Sequence, residues 1–234
     1  MTVTAPSATT NFSPNAGEMV LTALSRIRIE GPMVEARHLD RARAEAGLQQ
    51  TEWMNRQVNL FTVELATPIV LVVDQTAYTL DASTLDILDA YITTPDGAGG
   101  FTDRTVMPMS RTEYAQQPKK ILQSPPTSFW FERKTTPVLH PWPTCDTAVT
   151  YIFNYYRLRQ NFDVVLPGGV GVDAPVRFYD AFVAGLSHRL SRHFAPALED
   201  KREADYLKAW KLAAGEDHEH VDMFIYPGLS SYYR

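Results

Sequence analysis

The chain has 234 residues, of which 44% are hydrophobic and 21% charged, enough apolar material for a sizeable core in one large domain or two small subdomains. A formal net charge of -5 argues against a protein that grips nucleic acid by counterion release, which needs a basic face. The longest apolar run, residues 69–73, is strand-sized and far short of the roughly 20 residues that cross a bilayer, so no membrane span is expected.

Residues 1–14 are rich in Thr, Ser, Ala and Pro and lack the charged start and apolar centre of a secretory signal; they read as a flexible arm. Ser13-Pro14 then gives a helix start signal, a hydroxyl that can cap free N–H groups with a proline in the first turn. The helix it opens spans 15–29 and ends at Gly31-Pro32. From Met33 the spacing places Leu39, Ala42, Ala46, Trp53 and Leu60 on one stripe, an amphipathic helix or a pair of them, with Gly47 as a possible kink.

At Phe61 the apolar period changes to two and β-branched residues take over. Strands are expected at 61–65, 69–73, 78–80, 85–93, 104–109, 128–133, 138–140 and 148–156, with a helical turn at 110–117. Pro141 and Pro143 mark an edge or a loop, since proline donates nothing to a ladder. These strands read as one twisted, mostly antiparallel sheet. Residues 167–173, with three glycines, return the chain to helix, where Val176, Tyr179, Val183, Leu186, Leu190 and Phe194 lie on one face. A last charged helix runs from 198 to 214 with Tyr206, Ala209, Trp210 and Ala213 as its apolar side. The fold class is therefore α+β, a helical bundle from the N- and C-terminal helices (15–60 with 174–220) and a mostly antiparallel β-rich middle (61–173), in which Val183, Leu186 and Leu190 pack against Leu39 and Trp53.

Candidate chemistry is thin. Cys145 is the sole cysteine, so no intrachain disulfide or thiolate metal site can form, and folding in a reducing cytoplasm fits. His218, Glu219 and His220 with Asp217 and Asp222 have the wrong spacing for a helical zinc site, as do His188 and His193. Gly168-Gly169-Val170-Gly171 lacks the lysine and Ser/Thr of a phosphate-binding loop, and Cys145 has only His140 nearby as a base. Glu113 and Glu132 are candidates for the carboxylate pair of a cell-wall glycosidase, but nothing in the sequence marks them as a pair. No catalytic residue, metal site or cofactor is expected.

One ordered pattern stands out. Met107-Pro108-Met109-Ser110-Arg111-Thr112-Glu113-Tyr114 is followed by Pro118-Lys119-Lys120, by Pro126-Thr127-Ser128-Phe129-Trp130-Phe131-Glu132-Arg133 and by Pro137-Val138-Leu139-His140-Pro141-Trp142-Pro143. With the earlier Trp53 and Tyr78-Thr79-Leu80, this progression resembles the head-to-tail adaptor (tail accessory, or connector) proteins of short-tailed bacteriophages over residues 15–219, with Ser124 where that family often has glycine. The resemblance implies a structural virion protein made in the host cytoplasm: a ring, expected to hold twelve copies, at the head-tail junction below the portal protein. Such a ring closes and extends the DNA exit, lets the genome pass without sequence-specific binding, and carries the tail nozzle and fibre proteins. Within the pattern, Arg111 and Glu113 are expected to fix the short helix against the sheet, and Trp130 and Trp142 to fill the β core or a subunit contact. The end of the chain, 221–234, turns apolar and aromatic around Pro227-Gly228, and a loose tail of that kind is an aggregation liability until it is covered. It packs either on its own subunit or, as the resemblance favours, on the portal or a neighbouring subunit, with Phe224, Tyr226, Leu229 and Tyr232 as anchors.

Overall fold

The computed structural model describes residues 12–57, 59–164 and 171–217. Helix α1 (Ala16–Arg26) begins one residue after the expected 15, and its cap lies two residues beyond Ser13. Asn15 is its cap, accepting the Glu18 N–H at 2.9 Å while the Glu18 carboxylate accepts the Asn15 N–H at 3.1 Å, so two free donors are satisfied reciprocally. The helix also stops a turn before Ile29, because Arg28 enters the left-handed region at φ 68°, a conformation that ends a helix.

Helix α2 (Ala36–Arg56) runs through Gly47 as a single helix. Its buried face differs from the expected stripe: it carries His38, Ala42, Glu45, Ala46, Gln49, Gln50 and Trp53, whereas Leu39 is 38% exposed and Leu60, beyond the helix, is exposed too. Two side chains of this face find partners on later helices. Gln49 donates from Nε2 to the carbonyls of Ala181 and Phe182 at 3.4 and 3.1 Å, and Trp53 Nε1 donates to Tyr206 Oη at 3.0 Å.

Those partners lie on α4 (Tyr179–Phe194) and α5 (Glu199–Gly215). Helix α4 packs against α1, α2 and α5 and buries Ala181 through His188, Leu190 and Ser191, so it is enclosed on nearly all sides rather than amphipathic. A Cβ on Gly185 would lie 2.5 Å from Gln49 Nε2 and 2.8 Å from Tyr206 Cε2; only glycine lets α2 and α5 approach there. Val183, Leu186 and Leu190 share a core with Trp53 and α1, as expected, but Leu39 is absent from it. Val176 sits in a 3-10 turn ahead of α4 and is 55% exposed. Helix α5 buries the four residues that the spacing marks, Tyr206, Ala209, Trp210 and Ala213.

The middle of the chain forms two sheets, not one. The five-stranded sheet has the order β1-β9-β4-β5, with β2 also on β9, from β1 (Val63–Leu65), β2 (Ile69–Val70), β4 (Thr84–Pro95), β5 (Phe101–Thr105) and β9 (Ile152–Arg159), all antiparallel. The four-stranded sheet has the order β3-β8-β7-β6, from β3 (Tyr78–Thr79), β6 (Met107–Pro108), β7 (Ser128–Glu132) and β8 (Val138–Trp142), and its β6–β7 pair is parallel. The segment expected as one strand at 104–109 instead passes from the first sheet to the second at Val106. Strand β8 continues through Pro141, which is tolerated because β3 pairs only with Val138 and Leu139 and leaves Pro141 paired on one side. A second apolar core lies in this region, with Phe129, Leu139, Phe153, Ile92 and Cys145 buried; Trp130 and Trp142 are only half-buried. Helices at both ends around an antiparallel-rich middle make the molecule α+β, in line with the sequence.

Candidate interaction surfaces

The ordered pattern of residues 107–143 converges on one small helix, α3 (Arg111–Gln116). Ser110 and Glu113 form its capping box: Ser110 Oγ accepts the Glu113 N–H at 3.2 Å and the Glu113 carboxylate accepts the Ser110 N–H at 2.6 Å. Bonds from the Ser110 N–H and hydroxyl hold the Glu113 carboxyl below its ordinary pKa. At the other end Lys120 closes the helix, donating from Nζ to the carbonyls of Tyr114, Ala115 and Gln117 and lying 4.6 Å from the Tyr114 ring, which suits the negative end of a helix dipole. Tyr114, not Arg111 or Glu113, seats the helix on its sheet. Its ring lies 5.1 Å from Trp130 of β7 and 5.3 Å from His140 of β8, and those two stack at 4.7 Å. Arg111 is exposed, and Glu113 serves its own helix.

The outer ends of this unit are tied as well. His140 contacts the Thr76 carbonyl through Nδ1 at 3.0 Å and Glu132 through Nε2 at 3.3 Å, and Trp142 Nε1 donates to the Lys119 carbonyl at 3.2 Å. Sequence reasoning did not foresee the parts of Lys120 and His140. The signal for Lys120 was present in its place just after a six-residue helix; that for His140 was not, because its partners come from residue 76 and from another strand.

The environments of the candidate chemical groups are those of structural side chains. Glu132 is held below its ordinary pKa, first by the bond from Lys134 and then by His140, and Glu113 is lowered too, whereas a glycosidase needs one carboxyl raised as general acid. Burial pushes the Cys145 thiol up, away from a reactive thiolate. His193 meets Glu45 at 3.0 Å, and burial followed by the Arg192 charge pushes His188 down. Among the described residues no three His, Cys, Asp or Glu gather as metal ligands. Of the cluster at 217–222 only Asp217 is described: its buried carboxylate accepts the Leu60 N–H at 3.1 Å and pairs with Arg177.

The exposed features belong to surfaces. Every residue of β5 is exposed, and Phe101 at its start is 69% exposed. Phe162, Leu212, Met107 and Leu65 also present apolar area to solvent. The four anchors expected in the tail, Phe224, Tyr226, Leu229 and Tyr232, lie outside the described residues, as do Gly168, Gly169, Val170, His218, Glu219 and His220.

A family model described as SU10 adaptor protein matches residues 20–226. The chain belongs to the SU10 adaptor protein family. No curated protein matches it. In this adaptor the matched span takes in the helices of both ends and both sheets, and the unit centred on α3 lies inside it. The adaptor is thus a phage structural protein whose family role is to join other virion components, and no helix among its described residues is long and apolar enough to cross a membrane.

Proposed function

We propose that this adaptor forms the head-to-tail junction of a short-tailed phage, a ring of twelve copies below the portal protein that closes and extends the DNA exit channel and carries the tail nozzle and fibres. The family match over residues 20–226 carries the reading. A charge of -5 favours a channel wall that lets DNA pass without gripping it. The role asks for no reaction, and the lowered pKa of both Glu113 and Glu132 counts against their serving as a glycosidase pair, which needs one carboxyl raised as general acid. In this reading the chain is made in the host cytoplasm, which its one buried cysteine suits, and ends in the virion. The apolar clusters centred on α4 and on Phe153 support a division into a helical part (15–60 with 174–220) and a β-rich part (61–173). Residues 221–234 then act as a docking tail, with Phe224, Tyr226, Leu229 and Tyr232 seated on the portal.

The test is a mass measurement of the purified chain mixed with purified portal rings. The expected result is one discrete complex with twelve adaptors on each portal. A portal that stays bare, or adaptors that remain monomeric or dimeric at saturating concentration, refutes the assignment.

A further inference from the structure

Among the described residues the five-stranded sheet has an open flank on each side, β5 at one and β1 at the other. Across the β4–β5 hairpin the Val106 N–H donates to the Ala90 carbonyl and the Asp96 N–H to the Gly100 carbonyl. Backbone groups alternate between the two sides of an antiparallel strand. Gly100, Thr102, Arg104 and Val106 therefore face β4, and the N–H and C=O of Phe101, Asp103 and Thr105 point out of the sheet. On the opposite flank the Ala66 N–H donates to the Tyr155 carbonyl, so Val63 and Leu65 point outward by the same alternation. The Val63 N–H is taken by the Leu60 carbonyl, which leaves the Val63 C=O and both groups of Leu65.

The side chains agree with the backbone. Residues paired across strands share a face, and the registers Phe101–Pro95, Asp103–Thr93, Thr93–Ile152 and Leu65–Tyr156 put Phe101, Tyr156 and Leu65 on the same face. They are 69%, 41% and 50% exposed. Strand direction alternates from β1 through β9 and β4 to β5, so a second copy set beside the first in the same orientation brings its β1 antiparallel to β5.

We propose that the β5 edge of each adaptor pairs with the β1 edge of the next, so that the sheet runs on from copy to copy around the ring. Matching the outward groups sets Phe101 opposite Leu65 and Asp103 opposite Val63, and lays the Phe101 ring against Leu65 and Tyr156 of the next copy. A second copy is the fitting occupant because one chain carries both edges with matching faces and directions. The contact is heterologous, the kind that closes a ring when the rotation per copy divides the circle. Four strands per copy at roughly 4.8 Å each add about 19 Å of sheet, so twelve copies give a circle about 70 Å across. The short β1 edge, Pro68 beyond it, and the charged Asp103 and Arg104 on β5 are devices that keep free edges from uncontrolled pairing.

This inference rests on the ring reading above, and its test separates the two. Leu65→Cys and Phe101→Cys are placed together in the full chain, and the protein is assembled on purified portal, weighed and oxidised mildly. Paired Cα atoms at a hydrogen-bonded antiparallel site lie about 5.5 Å apart, within the span of a disulfide. The expected result is a ladder of covalent oligomers beyond the dimer, with each single variant remaining monomeric. Rings of the right mass without a ladder overturn the edge pairing and leave the ring reading standing; covalent dimers from Phe101→Cys alone mean that β5 pairs with β5 and also overturn it. If no ring forms with the unaltered chain, both fail. In a second variant, Asp103→Pro removes an outward N–H and spares the β4 ladder. It should raise the concentration for half-assembly about tenfold, the cost of one unmade hydrogen bond, with unchanged circular dichroism; unchanged assembly counts against the pairing.

Discussion

Leu186 has no exposed surface and sits between the helices that α4 joins. Truncating it to alanine leaves a cavity that close-packed neighbours fill only in part, so Leu186→Ala should cost about 2 to 5 kcal/mol of stability; an unchanged urea midpoint removes it from the core. Gly185 beside it fails for the opposite reason. In Gly185→Ala the new methyl meets Gln49 and Tyr206, and overpacking of this kind costs about 1 to 3 kcal/mol, enough to lower the melting temperature measurably. Asp173 gives a pH signature. Burial raises its carboxyl, but the Arg159 guanidinium, at 2.6 Å, and the Phe162 N–H outweigh that and hold its pKa below the ordinary 3.8. A depressed folded-state pKa contributes stability that is present above the unfolded value and is lost as the pH falls through the folded one. Stability should therefore decline below about pH 4, and Asp173→Asn should flatten that acid limb in chemical denaturation; an identical limb in the variant removes Asp173 from the account.

At the scale of elements, α3 has only six residues, too few to persist alone. It is held by its Ser110 cap, by Lys120 at its carbonyl end and by Tyr114 on Trp130 and His140. Ser110→Ala should cost about 1 kcal/mol, and combining it with Tyr114→Ala should release the helix while both cores survive. Amide exchange read by mass spectrometry would then rise over residues 111–117 and stay low in α4; protection unchanged at 111–117 would mean that other contacts hold the turn. The helical turn expected at 110–117 was a local feature legible in the sequence, and the structure adds the box by which Ser110 and Glu113 cap it. The buried face of α2 was not legible in that way. Periodicity offers Leu39 as apolar, but the face that turns inward is chosen by what α4 and α5 present to it, and they offer carbonyls to Gln49 and a phenol to Trp53.

For the whole molecule, assembly is the property to test. A chain ending at His220 lacks the proposed anchors Phe224, Tyr226, Leu229 and Tyr232, while every described contact lies at or before Asp217. It should keep its circular dichroism and melting temperature and lose binding to portal rings. Full occupancy of the portal by the truncated chain would show that attachment lies elsewhere. Paired with the cysteine variants at β5 and β1, this distinguishes attachment to the portal from contact between neighbours.

The features legible in the sequence were those encoded over short distances: helices α1 and α5 to within a few residues, the change of period at Phe61, the α+β class, and the ordered pieces that resemble the adaptors. These depend on caps, period and turn residues, which act within one or two turns of the chain. Packing of distant segments settled that the strands divide into two sheets at Val106, that α4 is enclosed rather than one-sided, and that among the described residues β5 and β1 keep open edges. Each of these depends on which distant segment lies alongside. Hydrophobic burial sets a residue's preference for the interior, but which partner supplies that interior is a property of the whole packed chain.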